Sequence, residues 1–135
     1  MKVRRIAMRD RNREGETGAA AVEFALVLPV LVLLIMGLVE FSLLFNAQIS
    51  VMNAAREGAR VMAIHNDPSL ARSAAVAAAP SLRPGLSAAN VTVAPTKCVA
   101  GSSVTVTIRY SATLLTGFFG VTLPLQGKGV MLCGG

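Results

Sequence analysis

Between Ala19 and Phe45 the chain reads AAAVEFALVLPVLVLLIMGLVEFSLLF, broken only by Glu23, Glu40 and Ser42. The charge-free run Phe24–Val39 has 16 residues, roughly 24 Å of helix at about 1.5 Å per residue. With the alanines before it and Phe41–Phe45 after it, the stretch is long enough for a hydrocarbon core of about 30 Å. Pro29 would kink such a helix without abolishing it, because in lipid neighbouring groups re-satisfy the freed carbonyl. A mean hydropathy of +0.60 over the 135 residues agrees with a membrane segment. It excludes a disordered chain, which needs far less apolar and far more charged side chain.

Charge sets the expected orientation. Residues 1–18 carry six basic side chains against three acidic ones; residues 19–135 carry seven against four. Arginines thus precede the span, and basic residues are absent after it until Arg56. The positive-inside rule therefore predicts a cytoplasmic N-terminus, with residues after about 45 on the far side of the membrane. A nucleic-acid arm is disfavoured by that position. No nucleic-acid partner is expected from a chain with no Trp and one Tyr, which lacks aromatic stacking platforms. A secretory signal peptide would have a shorter apolar core and a small-residue cleavage site; Glu40-Phe41-Ser42-Leu43-Leu44 supplies none. A mitochondrial presequence would lack Asp10, Glu14 and Glu16.

Glu23 is unusual in an apolar helix. An ionised carboxylate costs about 2.5–3.5 kcal/mol at the centre of a spanning helix, less near the interface, where the positive end of the helix dipole favours it. One reading is an interfacial carboxylate and nothing more. The other comes from its neighbours: Gly18 precedes the apolar helix and the carboxylate is the fifth residue after it. Glycine there offers an unbranched, extended backbone that an enzyme can approach closely.

Together, basic leader, Gly18, apolar helix and Glu23 resemble a type IV prepilin processing site. The resemblance implies cleavage by a prepilin peptidase between Gly18 and Ala19, and pairing of Glu23 with the new terminal amine of a neighbouring subunit. More narrowly, Ala21–Pro29 (AVEFALVLP), Gly37–Phe41 (GLVEF) and Ala54–Arg60 (AAREGAR) resemble the TadE-like family of pseudopilins. The likeness covers about residues 15–64. It implies a minor, non-catalytic component of Flp-type (tight adherence) type IV pilus assembly. The implied partners are the inner membrane, the prepilin peptidase, other pilins or pseudopilins, and proteins of the assembly platform. Processing would involve Gly18, Ala19 and Glu23; helix packing or assembly would involve Phe24, Pro29, Gly37, Glu40, Arg56, Glu57, Gly58 and Arg60. The contrasting reading is an uncleaved, signal-anchored periplasmic binding or adaptor protein.

Beyond Phe45 the helical signal continues. Ile49, Met52, Ala55, Ala59 and Met62 recur at spacings of three and four, an apolar stripe, with Asn53, Arg56, Glu57 and Arg60 on other faces. This predicts one helix from about 19 to 64, transmembrane and then amphipathic. Arg56, Glu57 and Arg60 read either as a solvated face or as a partner surface. Gly58 costs about 1 kcal/mol in a helix interior relative to alanine, which suggests close packing against a strand or another helix. Asp67-Pro68 reads as an N-cap followed by proline at the first helical position, opening a second helix over Ser69–Ala79. Residues 80–89 read as a linker.

Strands are expected at Asn90–Pro95, at Ser102–Ser111 with clean alternation, and more weakly at Lys128–Cys133. The apolar stretch 114–125, broken by Gly117, Gly120 and Pro124, reads as a loop. There Phe118 and Phe119 either cap the core or mark a membrane or partner contact. The expected fold is α+β and pilin-like: a long N-terminal helix, a short second helix and a small three-stranded antiparallel sheet. The expected organisation is a basic cytoplasmic leader (1–18), a transmembrane helix (19–45) and a periplasmic α+β domain (46–135).

Two cysteines, Cys98 and Cys133, suggest one disulfide in an oxidising compartment; two free thiols are the alternative. His65 is the lone histidine, so no His cluster can ligate a metal, and the common catalytic and phosphate-binding motifs are missing. No cofactor and no enzymatic activity are expected.

Overall fold

The computed structural model describes residues 11–115, 117 and 121–134, with side chains from Gly18 onward. The elements in order are helix α1 (Arg11–His65), helix α2 (Pro68–Ala77), a 3-10 turn (Ala88–Asn90), and strands β1 (Val91–Ala94), β2 (Ser103–Thr113) and β3 (Thr122–Leu132). The fold is α+β. The chain divides into two compact units, Met1–Val39 and Glu40–Gly135.

In the first unit every described side chain from Gly18 to Val39 is exposed. Phe24, Leu26, Leu33 and Leu38 each show more than half of their surface. α1 is the one helix among the described residues that is long and apolar enough to cross a membrane. Pro29 lies inside it and removes one backbone donor, which an otherwise regular apolar helix tolerates.

In the second unit the three strands form one antiparallel sheet in the order β1-β2-β3. Alternation along β2 buries Val104, Val106, Ile108, Tyr110 and Ala112, because successive side chains point to opposite faces. Val91 and Val93 of β1 extend the same apolar face, with Val93 opposite Val106 and Val91 opposite Ile108. Onto this face α1 packs Val51, Ala54, Ala55, Ala59 and Met62, and α2 packs Ala71 and Ala75. Burying a side chain the size of Ile108 contributes about 1.5–3 kcal/mol. With so many alanines on the helices, this core depends on close approach.

Glycines in β3 provide that approach. Gly127 pairs with Ile108 and Gly129 with Val106, so both face the helix. A Cβ on Gly127 would lie 2.5 Å from the carbonyl oxygen of Val51. One on Gly129 would collide with the carbonyl of Ala55. This explains why the buried helix face differs from the expected stripe. Val51, Ala54 and Gly58 are buried, whereas Ile49 is exposed and Met52 only half-buried. The larger side chains are rotated away because the glycine strand admits only small ones.

Helix α2 is capped as its sequence dictates. Oδ1 of Asp67 accepts from the backbone N–H of Ser69 at 2.8 Å and of Leu70 at 3.2 Å, satisfying two free amides at the helix start. The helix ends at Ala77, two residues short of the expected Ala79. The segment read as a linker contains the 3-10 turn, closed by a capping box between Ser87 and Asn90. The largest departure is β3. It begins at Thr122, inside the stretch read as a loop, and pairs with β2 from Thr113↔Thr122 to Ser103↔Leu132. Pro124 hid this strand in the sequence, but proline is tolerated in an edge strand. Phe118, Phe119 and Gly120 lie outside the described residues.

Candidate functional site

The residues singled out by sequence fall into three places. Gly18, Ala19, Glu23, Phe24, Pro29 and Gly37 all lie on α1 in the first unit, exposed along it. A Cβ on Gly18 or on Gly37 would meet nothing within 4 Å, so neither glycine is required by packing within this chain. Gly18 is helical and not extended, since α1 begins upstream at Arg11. Once an apolar helix has nucleated, propagating it by a few residues costs little.

The second place is Ala54–Arg60. The helical period splits this heptapeptide in two. Ala54, Ala55, Gly58 and Ala59 point inward and are buried. At Gly58 α1, α2 and β2 meet: an added Cβ would lie 3.1 Å from Cβ of Ala75 and 3.3 Å from Cγ1 of Val106. The charged residues point outward. Arg60 donates to both carboxylate oxygens of Glu57, Nε at 2.9 Å and Nη2 at 2.7 Å. This bidentate bond holds the Glu57 carboxyl below its usual range, while the Glu57 carboxylate raises the Arg60 guanidinium. Arg56 is exposed beside them. The small residues of this patch build the domain, and the charged ones face outward.

The third place centres on Glu40. Its Oε1 accepts the backbone N–H of Leu115 at 2.7 Å, joining the first turn of the second unit to the residues that directly follow β2. Glu40 also lines a cavity of about 330 Å³, together with Leu43, Leu44, Leu82, Arg83 and Tyr110. Arg83 donates from Nη1 to the carbonyls of Pro80 and Leu82, both at 2.9 Å. The Tyr110 hydroxyl donates to the carbonyl of Pro84 at 2.9 Å. Burial pushes the Tyr110 phenol up, partly offset by the Arg83 charge.

Cys98 and Cys133 form a disulfide with Cα atoms 5.5 Å apart, closing a separation of 35 residues. Two features seat the loop between β1 and β2 for it. Asn66, just past α1 with φ 50°, adopts the left-handed conformation that asparagine tolerates at helix ends. Its Oδ1 accepts the N–H of Cys98 at 2.6 Å. The backbone of Cys133 also bonds to Ser102 and Gly101.

Three features had escaped sequence reading: Gly127 and Gly129, Asn66, and the cavity. The glycine pair carried a signal, alternation with period two in a strand. Asn66 and the cavity carried none, because both depend on residues far apart in the chain.

Among the described residues no group of three or more His, Cys, Asp or Glu side chains could hold a metal ion. What the arrangement offers is an exposed apolar helix with a carboxylate near its start, and a disulfide-closed head.

Residues 18–60 match the TadE-like protein family. The match starts at the junction glycine and ends at the arginine that chelates Glu57, so it takes in all three motifs. That family suggests involvement in tight-adherence (Flp) pilus assembly, in association with its machinery. No curated protein and no solved structure matches the chain.

Proposed function

We propose that the chain is a minor pseudopilin: a non-catalytic, single-pass component of Flp pilus assembly, processed by a prepilin peptidase between Gly18 and Ala19. Its N-terminus is cytoplasmic, its anchor lies in the inner membrane and its α+β head is periplasmic. Other pilins, pseudopilins and platform proteins are its partners. The carrying observation is that the family match begins at Gly18 and continues into a helix whose apolar side chains are exposed from there to Val39. Gly18, Ala19 and Glu23 serve processing, with Glu23 setting register against a neighbour's terminal amine. Phe24, Pro29, Gly37, Glu40, Arg56, Glu57, Gly58 and Arg60 serve helix packing and assembly, some within the head and some between chains. The Cys98–Cys133 bridge suits an oxidising compartment such as the periplasm.

The test is the intact mass of membrane-extracted protein from cells with and without the prepilin peptidase. The expected result is peptidase-dependent loss of residues 1–18, with loss of piliation in Gly18→Val and Glu23→Ala strains. A full-length chain in both backgrounds and normal piliation in both variants would leave an uncleaved anchored adaptor.

A further inference from the structure

β3 is an edge strand, and alternation decides which of its backbone groups face away from β2. Cys133, just past its end, exchanges backbone bonds with Gly101 and Ser102 on the β2 side. Successive residues of an antiparallel strand turn their N–H and C=O groups to opposite sides, so Met131, Gly129 and Gly127 also face β2. Gln126, Lys128, Val130 and Leu132 therefore point theirs at the free edge. Pro124 falls in the same set, where the ladder to β2 needs no N–H from it. The Gln126 carbonyl is taken by Nε2 of Gln48 at 2.9 Å. That leaves the main chain of Lys128, Val130 and Leu132 as an open row of donors and acceptors, the template on which another strand pairs.

Helix α1 lies along this edge. A Cβ on Gly127 would meet the backbone of Val51, and one on Gly129 that of Ala55. Four residues of helix thus advance with two of strand, as rises of about 1.5 and 3.3 Å per residue allow, and the two elements run parallel. Gln48, Met52 and Arg56 follow one another at single turns, on the flank that reaches the Gln126 carbonyl. Met52 is half-buried there and Arg56 exposed. On the open face of the sheet, Lys128, Val130 and Leu132 are all exposed. Among the described residues neither Lys128 nor Arg56 belongs to an ion pair. The free row is therefore bordered by apolar side chains, with a cation on each face.

A second copy fits this edge poorly. Because α1 runs parallel to β3, antiparallel pairing of two β3 strands would put the Glu40 ends of the two heads at opposite ends of the pair, whereas both chains enter one membrane just before Glu40. Nor does any strand of this chain offer a carboxylate to Lys128, since β1, β2 and β3 hold no Asp or Glu. We propose that the free edge of β3 takes an extended, acidic segment of a different polypeptide as a fourth strand. Its main chain bonds to Lys128, Val130 and Leu132 in the manner of strand addition. A carboxylate meets Lys128, apolar side chains cover Val130, Leu132 and Met52, and Arg56 adds to the attraction for an acidic segment. The inference rests on membrane anchoring through α1, and not on processing or on a role in pilus assembly.

The probe is a short peptide, acetylated and amidated, that alternates threonine and valine around a central glutamate. A companion peptide carries lysine in place of the glutamate. Each is added to the full chain in phosphatidylcholine nanodiscs, and amide hydrogen exchange is read residue by residue. Without peptide, Lys128, Val130 and Leu132 should exchange fast, and Gly127, Gly129 and Met131 slowly. Saturation with the glutamate peptide should slow the first three by about tenfold or more. If those three are already protected in the chain alone, a second copy fills the edge and the proposal falls. If the peptide slows none of them, it falls as well. Neither outcome touches processing or piliation.

Val130→Pro keeps the bonds to β2, because that N–H points outward, and removes the central donor of the edge. It should abolish the effect of the peptide while leaving the denaturant midpoint of the head unchanged. Lys128→Glu tests the carboxylate without altering the backbone. The unsubstituted chain should bind the glutamate peptide about fivefold more tightly than the lysine peptide, and Lys128→Glu should reverse that order. Equal affinity of the unsubstituted chain for both peptides, or binding by Val130→Pro as tight as before, overturns the assignment.

Discussion

Two stretches of α1 invert the usual relation between hydrophobicity and burial. From Phe24 to Val39 the side chains are mostly Leu, Val and Ile, and all are exposed. From Val51 to Met62 the inward face is mostly Ala and Gly, and it is buried. In a soluble protein the large apolar residues belong in the core. Here the core takes small residues because the backbone of β3 lies against the helix, while large ones cover a surface that water cannot solvate well. The first stretch is matched to an apolar surrounding outside the chain, the second to a glycine strand within it.

Substitutions should therefore act in opposite ways on the two stretches. The largest effect is expected for Gly129→Val, whose Cβ would collide with the Ala55 carbonyl. Overpacking costs about 1–3 kcal/mol where side chains can shift, and a backbone carbonyl shifts less readily, so the head should fail to fold cooperatively. Loss of the sigmoidal denaturant transition checks this; a normal midpoint would mean that helix and strand do not touch.

Next comes the bridge. Cys98→Ala with Cys133→Ala should lower head stability by about 3–4 kcal/mol, since the bridge closes a long loop. The readout is the shift in denaturant midpoint, with reduction of the unsubstituted protein as the parallel experiment.

A smaller loss, about 1 kcal/mol, is expected for Gly58→Ala. The gain in helix propensity is outweighed by contacts of 3.1–3.3 Å with Ala75, Ala71 and Val106. Gly37→Ala is the matched comparison on the exposed stretch. With nothing near its Cβ, it should leave head stability unchanged, so any effect on assembly would come from contacts between chains.

The smallest effect is that of the Glu57–Arg60 pair. Arg60 lowers the Glu57 carboxyl, so the pair's contribution is full above the unfolded carboxyl value of about 4.3. It is lost as pH falls through the lower folded value. Glu57→Gln should therefore lower the neutral-pH midpoint only slightly, because an exposed pair is well screened, and the difference from the unsubstituted protein should vanish as the pH falls through the folded carboxyl value.

Much of this architecture is legible in the sequence where the signal is local. The apolar run announces the span, Asp67-Pro68 announces α2, and the alternation of Val104, Val106 and Ile108 announces β2. The Gly18–Arg60 motifs are equally local. What was hidden depends on distant partners. The rotation of the buried helix face away from Ile49 follows from Gly127 and Gly129, more than sixty residues downstream. The start of β3 at Thr122 was masked by Pro124 and is set by its partner Thr113. Glu40 reads as part of the apolar helix, yet it is held by the backbone of Leu115, which no spacing in the sequence foretells.

Native methionines allow the contrast between the two stretches to be measured directly. Met36 is exposed in the first unit, Met62 is fully buried in the second, and Met131 is exposed on β3. Oxidation by a water-borne oxidant follows access to the sulfur. For the full chain in vesicles, Met131 should react while Met36 and Met62 are protected. After reduction and unfolding of the head in urea, Met62 should become reactive and Met36 should remain protected by lipid. Oxidation of Met36 as fast as Met131 in intact vesicles would contradict the account, because the exposed half of α1 would then be meeting water.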